Sequence, residues 1–310
     1  MATHGIHTID TGFGRPRFDA AYLVVERGRG AFIDSGTAHS LPRFLEAIEK
    51  ADLERKDIDW VILTHVHLDH AGGAGALMRE LPNAMLAVHP RGARHMIDPS
   101  VLIAGAAAVY GGEDIVRRDY GDILPIPEDR VIEADDGFVV DLAGRALLCL
   151  DTPGHARHHI AVHDERANAF FTGDIFGLSY RELDSPGGAF IIPTTSPVQF
   201  EPDAAHASID RLLRYEPEAM YLTHFDRVTE VKRLANDLHQ TIDAMVAIGR
   251  RHAAAADREQ RIAFDFIDLY VDRAHRQGVT LTTAEIVKIL EVDIRLNAQG
   301  VVVWLDRGAR

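Results

Sequence analysis

Apolar residues come in short runs up to Asp226 and in helical periods beyond it. "IHTID" (6–10), "AYLVVE" (21–26), "AFIDSG" (31–36) and "DWVILT" (59–64) read as strands broken by glycines and polar turns. "LPRFLEAIEKAD" (41–52), opened by Pro42, has the spacing of an amphipathic helix. After "DWVILT" come a small-residue helix, the strand "AMLAVH" (84–89), and two helices around "RHMID" (94–98) and "VLIAGAAAVY" (101–110). The turn-rich "GDILPIPEDR" (121–130) leads to five more strands, "VIEADDG" (131–137), "FVVDLAG" (138–144), "RALLCLDT" (145–152), "HIAVHD" (159–164) and "AFFTGD" (169–174). This alternation is the grammar of a layered α/β fold.

A Pro/Gly/Ser/Thr-rich loop spans 177–202, long enough to be expected to serve function. A helix from about 203 to 215 and the strand "AMYLTH" (219–224) close the strand-rich part. Helices are expected over 227–252, 256–276 and 282–297, followed by an apolar tail "VVVWL" (301–305). The boundary is placed near Val228, giving a catalytic domain 1–228 and a mainly helical region 229–310. The apolar faces of that region need cover, from the groove of the catalytic domain or from a second copy in a homodimer.

Charge narrows the partners. A formal net charge of −14 disfavours attraction to a phosphate backbone, so no nucleic-acid partner is expected. No apolar segment approaches the roughly 20 residues of a membrane span, and "MATHGIHTID" lacks the pattern of a secretory signal, so a cytoplasmic protein without a membrane partner is expected. Cys149 sits in the apolar strand "ALLCLDT" and reads as a core residue rather than a nucleophile.

The chemistry concentrates in "HVHLDH" (65–70). Three histidines and an aspartate at the end of a buried strand are costly without a partner, and the natural partner is a metal ion. His65 and His67 alternate on an extended segment and reach one point, while Asp69 and His70 come as the chain turns into a helix and aim at a second. Further donors follow other apolar strands: His155 in "LDTPGH", Asp174 in "FFTGD" and His224 in "YLTH". Donors gathered from several strand ends can build an open metal site on a rigid frame. His158 and His159 read as histidines with local hydrogen bonds, and "GFGRP" (12–16) as a turn.

"HVHLDH", "TPGH", "FTGD" and "LTH", in this order and preceded by "IDSG" (33–36), resemble the motifs of the metallo-β-lactamase fold superfamily over about residues 5–228. The resemblance implies a four-layer αβ/βα sandwich with metals in a groove at one edge, here with a C-terminal helical extension. It implies that His65, His67 and His155 hold one ion, that Asp69, His70 and His224 hold another, and that Asp174 bridges them. Asp34 would orient a ligand histidine. The cofactors implied are two divalent metal ions, zinc ahead of iron or manganese.

A dinuclear hydrolase is thus expected, using a metal-bridging hydroxide to cleave an ester, thioester or lactone of a small molecule. Asp69 would orient the nucleophile and take its proton, and Tyr180, shortly after Asp174, would hold a carbonyl oxygen. Arg181 and Phe190 are further pocket candidates, and the apolar "AFIIP" suggests a greasy substrate. "GDIFGLSYREL" lacks the "GCGR"-like stretch of the glutathione-using branch. The alternatives are a phosphodiesterase and a di-iron oxygen or redox sensor or signalling effector on the same fold.

Overall fold

A computed structural model describes residues 4–195 and 198–308 of the chain, so Ser196 and Pro197 of the long loop lie outside the described residues. The fold is mixed α/β, with two β-sheets and a helical C-terminal part. The chain divides into two compact units, one of residues 1–151 and 158–173, the other of residues 152–157 and 174–310.

In the first unit, β1 (Ile6–Asp10), β2 (Ala20–Glu26), β3 (Arg29–Ile33), β4 (Ile58–Leu63), β5 (Met85–Val88) and β6 (Val131–Glu133) form a sheet in that order. β1–β2 and β2–β3 are antiparallel, and β3 to β6 run parallel. Burial explains the composition: β2 and β3 are covered on both faces and read as continuous apolar runs, whereas β1, at the edge, buries only Ile6 and Ile9. α1 (Leu41–Lys50) turns Phe44 and Ile48 inward, and the Phe44 ring meets Phe32 edge-on at 5.1 Å. α2 (Leu68–Ala71), α3 (Ala74–Glu80) and α4 (Pro90–Ile97) follow β4 and β5 in turn.

α5 (Ser100–Tyr110) is the apolar "VLIAGAAAVY" helix, yet none of its residues is buried, and Val101 is 67% exposed. α6 (Glu113–Tyr120) was not foreseen from the sequence. It buries only Val116 and Tyr120, two anchors one turn apart, too few for a visible periodicity. α5 leans on these anchors and on Leu68 through Leu102, Ala106 and Ala107.

β7 (Val139–Leu142), β8 (Arg145–Asp151), β9 (Ile160–Asp164) and β10 (Ala169–Phe171) form an antiparallel meander in the same unit. Cys149 on β8 is fully buried, and burial pushes its thiol pKa up to about 12. A thiol held protonated in a core is inert. The folded protein is therefore expected to leave Cys149 unmodified by a thiol reagent until denaturant is added; reaction at the rate of a free thiol would displace it from the core.

The second unit contains α7 (Pro202–Leu213), the antiparallel pair β11 (Ala219–Leu222) and β12 (Asp226–Val228), and the helices α8 (Val231–His252), α9 (Arg258–Gln277) and α10 (Thr283–Gly308). The helix expected to stop at 297 continues to Gly308, so the "VVVWL" tail is part of α10. The apolar stripe through Ile286, Leu290, Ile294 and Ala298 continues to Val301 with no break in period. None of the described helices is long and apolar enough to cross a membrane.

Candidate metal centre

In the first unit the donors follow β4. Thr64, His65 and Val66 follow the strand directly; Val66 turns into the core, and His65 is fully buried. His67 caps α2, which carries Asp69 and His70 in its single turn. His65 Nε2 and His67 Nδ1 lie 2.9 Å apart, and the His65 ring centroid is 3.9 Å from that of His70. Nitrogens that close either share a proton or face a common cation.

Asp34 organises this half. It follows β3 with φ of 60°, a left-handed conformation that Asp adopts more readily than most residues. Its Oδ1 accepts from the Thr64 backbone N–H at 2.7 Å, and Thr64 Oγ1 donates to the same carboxylate at 2.8 and 2.9 Å. Its Oδ2 accepts from His70 Nδ1 at 2.9 Å. With the Thr64 hydroxyl proton committed to Asp34, Thr64 Oγ1 can only accept from His65 Nδ1, 3.2 Å away. One carboxylate thus places the protons of both His65 and His70 on Nδ1 and leaves their Nε2 lone pairs for a ligand ion.

Asp34→Asn keeps the shape and an acceptor for Thr64, but its amide nitrogen cannot accept the His70 proton. Metal affinity is expected to fall by about 10- to 100-fold with the fold intact, read by chelator competition beside a melting curve. Affinity unchanged from wild type would remove Asp34 from this role.

The sequence predicts local hydrogen bonds for His158 and His159. The Val66 backbone N–H meets His158 Nδ1 at 3.5 Å, and the two rings stand near the motif, His159 5.0 Å from His65 and His158 5.6 Å from His67 between centroids. Gly173, directly before Asp174, closes this cluster. A Cβ there would lie 2.5 Å from His159 Nε2 and 2.8 Å from Thr64 Oγ1, and its φ is +48°, so only glycine fits.

In the second unit His155, Asp174 and His224 are all buried. The two carboxylate oxygens of Asp174 face different imidazoles: Oδ2 is 3.4 Å from His155 Nε2, and Oδ1 is 3.7 Å from His224 Nε2. These separations are longer than hydrogen bonds. They match ligands of a shared ion, since two atoms each about 2.1 Å from a tetrahedral centre lie roughly 3.4 Å apart. The donor chemistry of this half therefore fits a carboxylate that serves two ions at once.

The turn carrying His155 is anchored on α7. Gly154 has φ of +129°, and a Cβ there would come within 2.4 Å of the Ala205 backbone. Ser208 Oγ donates to the Pro153 carbonyl at 2.6 Å, and the Glu201 N–H to the Gly154 carbonyl at 2.9 Å. His155 Nδ1 donates to the Thr194 carbonyl at 3.3 Å, which turns Nε2 toward Asp174. The Ser179 N–H donates to the His224 carbonyl.

The long loop is tied down rather than open. Leu178 bridges Ile192, Arg181 donates to the Ser179 carbonyl at 3.1 Å, and Phe190, Ile191 and Ile192 are buried. Phe190, Ile191 and Ile192 of "AFIIP" are thus part of the packing, with their side chains turned inward. Tyr180 is 0% exposed and its hydroxyl donates to Asp293 Oδ2 on α10 at 3.1 Å. That hydroxyl, expected from the sequence to hold a substrate carbonyl, is engaged with a carboxylate inside its own unit.

Each unit carries part of a His/Asp donor set of the kind that binds metal, and comparison with known proteins identifies the family. Residues 14–224 match the metallo-beta-lactamase superfamily, and the chain belongs to that superfamily. It is 26% identical over 234 residues, 72% of this chain and 79% of the relative, to the metallo-beta-lactamase fold-containing protein ST1585 of Sulfurisphaera tokodaii. The crystal structure of ST1585 superposes with a TM-score of 0.66 at 22% identity, covering 97% of this chain and 99% of that one. A hydroxyacylglutathione hydrolase of Acidiphilium cryptum is 29% identical over 238 residues, 77% of this chain and 75% of its own. The family and the His/Asp set are together compatible with a dinuclear metal site.

Proposed function

We propose that the protein is a dinuclear metal-dependent hydrolase that cleaves an ester, thioester or lactone of a small molecule with an apolar acyl part. The observation that carries this reading is the placement of Asp174, whose two oxygens each face a different histidine at ligand-sharing distance. The family match and the His/Asp set as a whole are compatible with a dinuclear metal site and support the same assignment.

Two divalent ions, zinc ahead of iron or manganese, would supply an activated water near neutral pH and polarise the scissile carbonyl. The residues do the rest. Asp34, through Thr64 for His65, and the Thr194 carbonyl hold Nδ1 protons so that His70, His65 and His155 would offer Nε2 as the ligand atom. Asp69 Oδ2 stands 3.8 Å from His70 Nε2 with its side chain 23% exposed, where a carboxylate can take the proton of the attacking water.

The acyl preference rests on α5. An apolar helix with every residue at least partly exposed, packed through Leu102, Ala106 and Ala107 against the Leu68 between His67 and Asp69, offers a greasy surface beside the motif. A relative bearing the name of a hydroxyacylglutathione hydrolase favours acyl transfer to water over phosphodiester cleavage. The reading takes a small molecule as substrate, and the formal net charge of −14 argues against a nucleic-acid partner.

The test measures metal identity and stoichiometry on the purified protein and runs ester, thioester, lactone and phosphodiester substrates on the same sample, the acyl substrates as a chain-length series. About two zinc or manganese ions, with turnover of one acyl class rising with chain length, is the expected result. Turnover confined to the phosphodiester, or two irons with an oxygen-dependent colour and no hydrolysis, would replace the reading.

A further inference from the structure

We propose that Asn297 of α10 is a positioning residue for the metal ligand His155, so that the C-terminal helix sets the affinity of one ion site from a distance. The proposal rests on the ligand reading of His155.

α10 carries two polar residues, Asp293 and Asn297, at adjacent turns of its otherwise apolar inward face, in line with Leu290 and Val301. Buried polar groups at core positions are costly unless their hydrogen bonds are met. Asn297 is 1% exposed and every part of its side chain is used. Its Oδ1 accepts from the Thr195 backbone N–H at 2.7 Å and from Thr195 Oγ1 at 3.2 Å. Its Nδ2 donates to the Pro193 carbonyl at 3.0 Å and to the Tyr270 hydroxyl at 3.0 Å. Thr195 Oγ1 also donates to the Asn297 backbone carbonyl at 2.9 Å.

Asn297 therefore grips residues 193 and 195, one on each side of Thr194. The carbonyl between them accepts the His155 Nδ1 proton at 3.3 Å. An amide is suited to this position because it clamps a C=O and an N–H of one extended segment together. The clamp holds the Thr194 carbonyl where it selects the His155 tautomer with Nε2 facing Asp174. The second polar residue acts in parallel on the other histidine's segment: Asp293 accepts from Tyr180, whose neighbour Ser179 donates its N–H to the His224 carbonyl. Both tie the long helix to segments that touch ligand residues.

The experiment compares zinc affinity, by chelator competition, and the melting temperature of the full-length protein in wild type, Asn297→Ala, Thr195→Val and Tyr270→Phe. Thr195→Val keeps the shape and removes only the hydroxyl bonds, so it serves if Asn297→Ala does not fold. Tyr270→Phe removes a partner of Asn297 without touching the 193–195 segment.

Asn297→Ala is expected to weaken one of the two zinc ions by about tenfold, the low end for residues that orient ligands, and Thr195→Val by a smaller factor in the same direction. Tyr270→Phe is expected to lower the melting temperature while leaving affinity at the wild-type value. Unchanged affinity in Asn297→Ala and Thr195→Val, or an equal loss in Tyr270→Phe, overturns the proposal. A zinc stoichiometry unchanged from wild type in His155→Ala would instead overturn the ligand reading beneath it, so the two failures are told apart.

Discussion

Replacing Asp174 by alanine is expected to reduce metal content from two ions to one or none and the hydrolytic rate by a factor on the order of 10³ or more, beyond the 10- to 100-fold that loss of a ligand-orienting residue costs. Asp174 is buried, and its two oxygens are each committed to a different imidazole, 3.4 Å from His155 Nε2 and 3.7 Å from His224 Nε2. Alanine leaves both histidines without the shared carboxylate, and the negative charge that offsets two cations goes with it. Asparagine restores the shape and one oxygen but not the charge, so it is expected to fall between the two. A second readout does not depend on substrate: excess zinc should raise the melting temperature of the wild type, by about 2.7 kcal/mol of stability at a hundredfold excess over Kd, and do so much less for Asp174→Ala. Two ions retained by Asp174→Ala, with a full zinc-dependent shift, would remove the bridging role.

Arg145→Ala is expected to cost about 3–5 kcal/mol of stability, measured by urea unfolding of the metal-free protein. Arg145 on β8 and Asp164 at the end of β9 are both buried and form a two-pronged pair: Nε donates to Oδ1 at 3.1 Å and Nη2 to Oδ2. The remaining nitrogen donates to the His4 carbonyl at 2.7 Å, and Glu26 lies 3.7 Å away. Removing the guanidinium leaves Asp164 in the interior with one backbone donor, the Ala167 N–H at 3.3 Å. The loss would therefore measure a stranded charge more than a lost attraction. The control is Arg145→Met with Asp164→Leu, which removes both charges and should recover much of the stability. A double replacement as unstable as Arg145→Ala would mean that the cost is packing alone.

Both predictions concern residues on or just after strands, and those strands were plain in the sequence. Apolar runs such as "AYLVVE" and "DWVILT" found β2 and β4 within a residue or two, because a strand covered on both faces has only one composition open to it. "HVHLDH" was equally legible, since alternation after a strand and a turn into a helix follow from local backbone geometry. Asp34 could be suspected from the "IDSG" turn, but its simultaneous hold on Thr64 and His70 depends on parallel β3 and β4 lying side by side.

What the chain determined alone was therefore periodic or local: which segments are strands, which are helices, and which strand ends carry metal-binding side chains. What the tertiary structure decided was which face met which partner. It merged "VVVWL" into α10, left the most apolar helix, α5, with no buried residue, and turned the Tyr180 hydroxyl toward Asp293. Asn297 shows the limit most sharply. A polar residue on an apolar helical stripe is visible in the sequence as an anomaly, but its partners Pro193 and Thr195 lie a hundred residues away along the chain. Burial periodicity is written into neighbouring residues, whereas the partner of a buried polar group exists only once distant segments have packed.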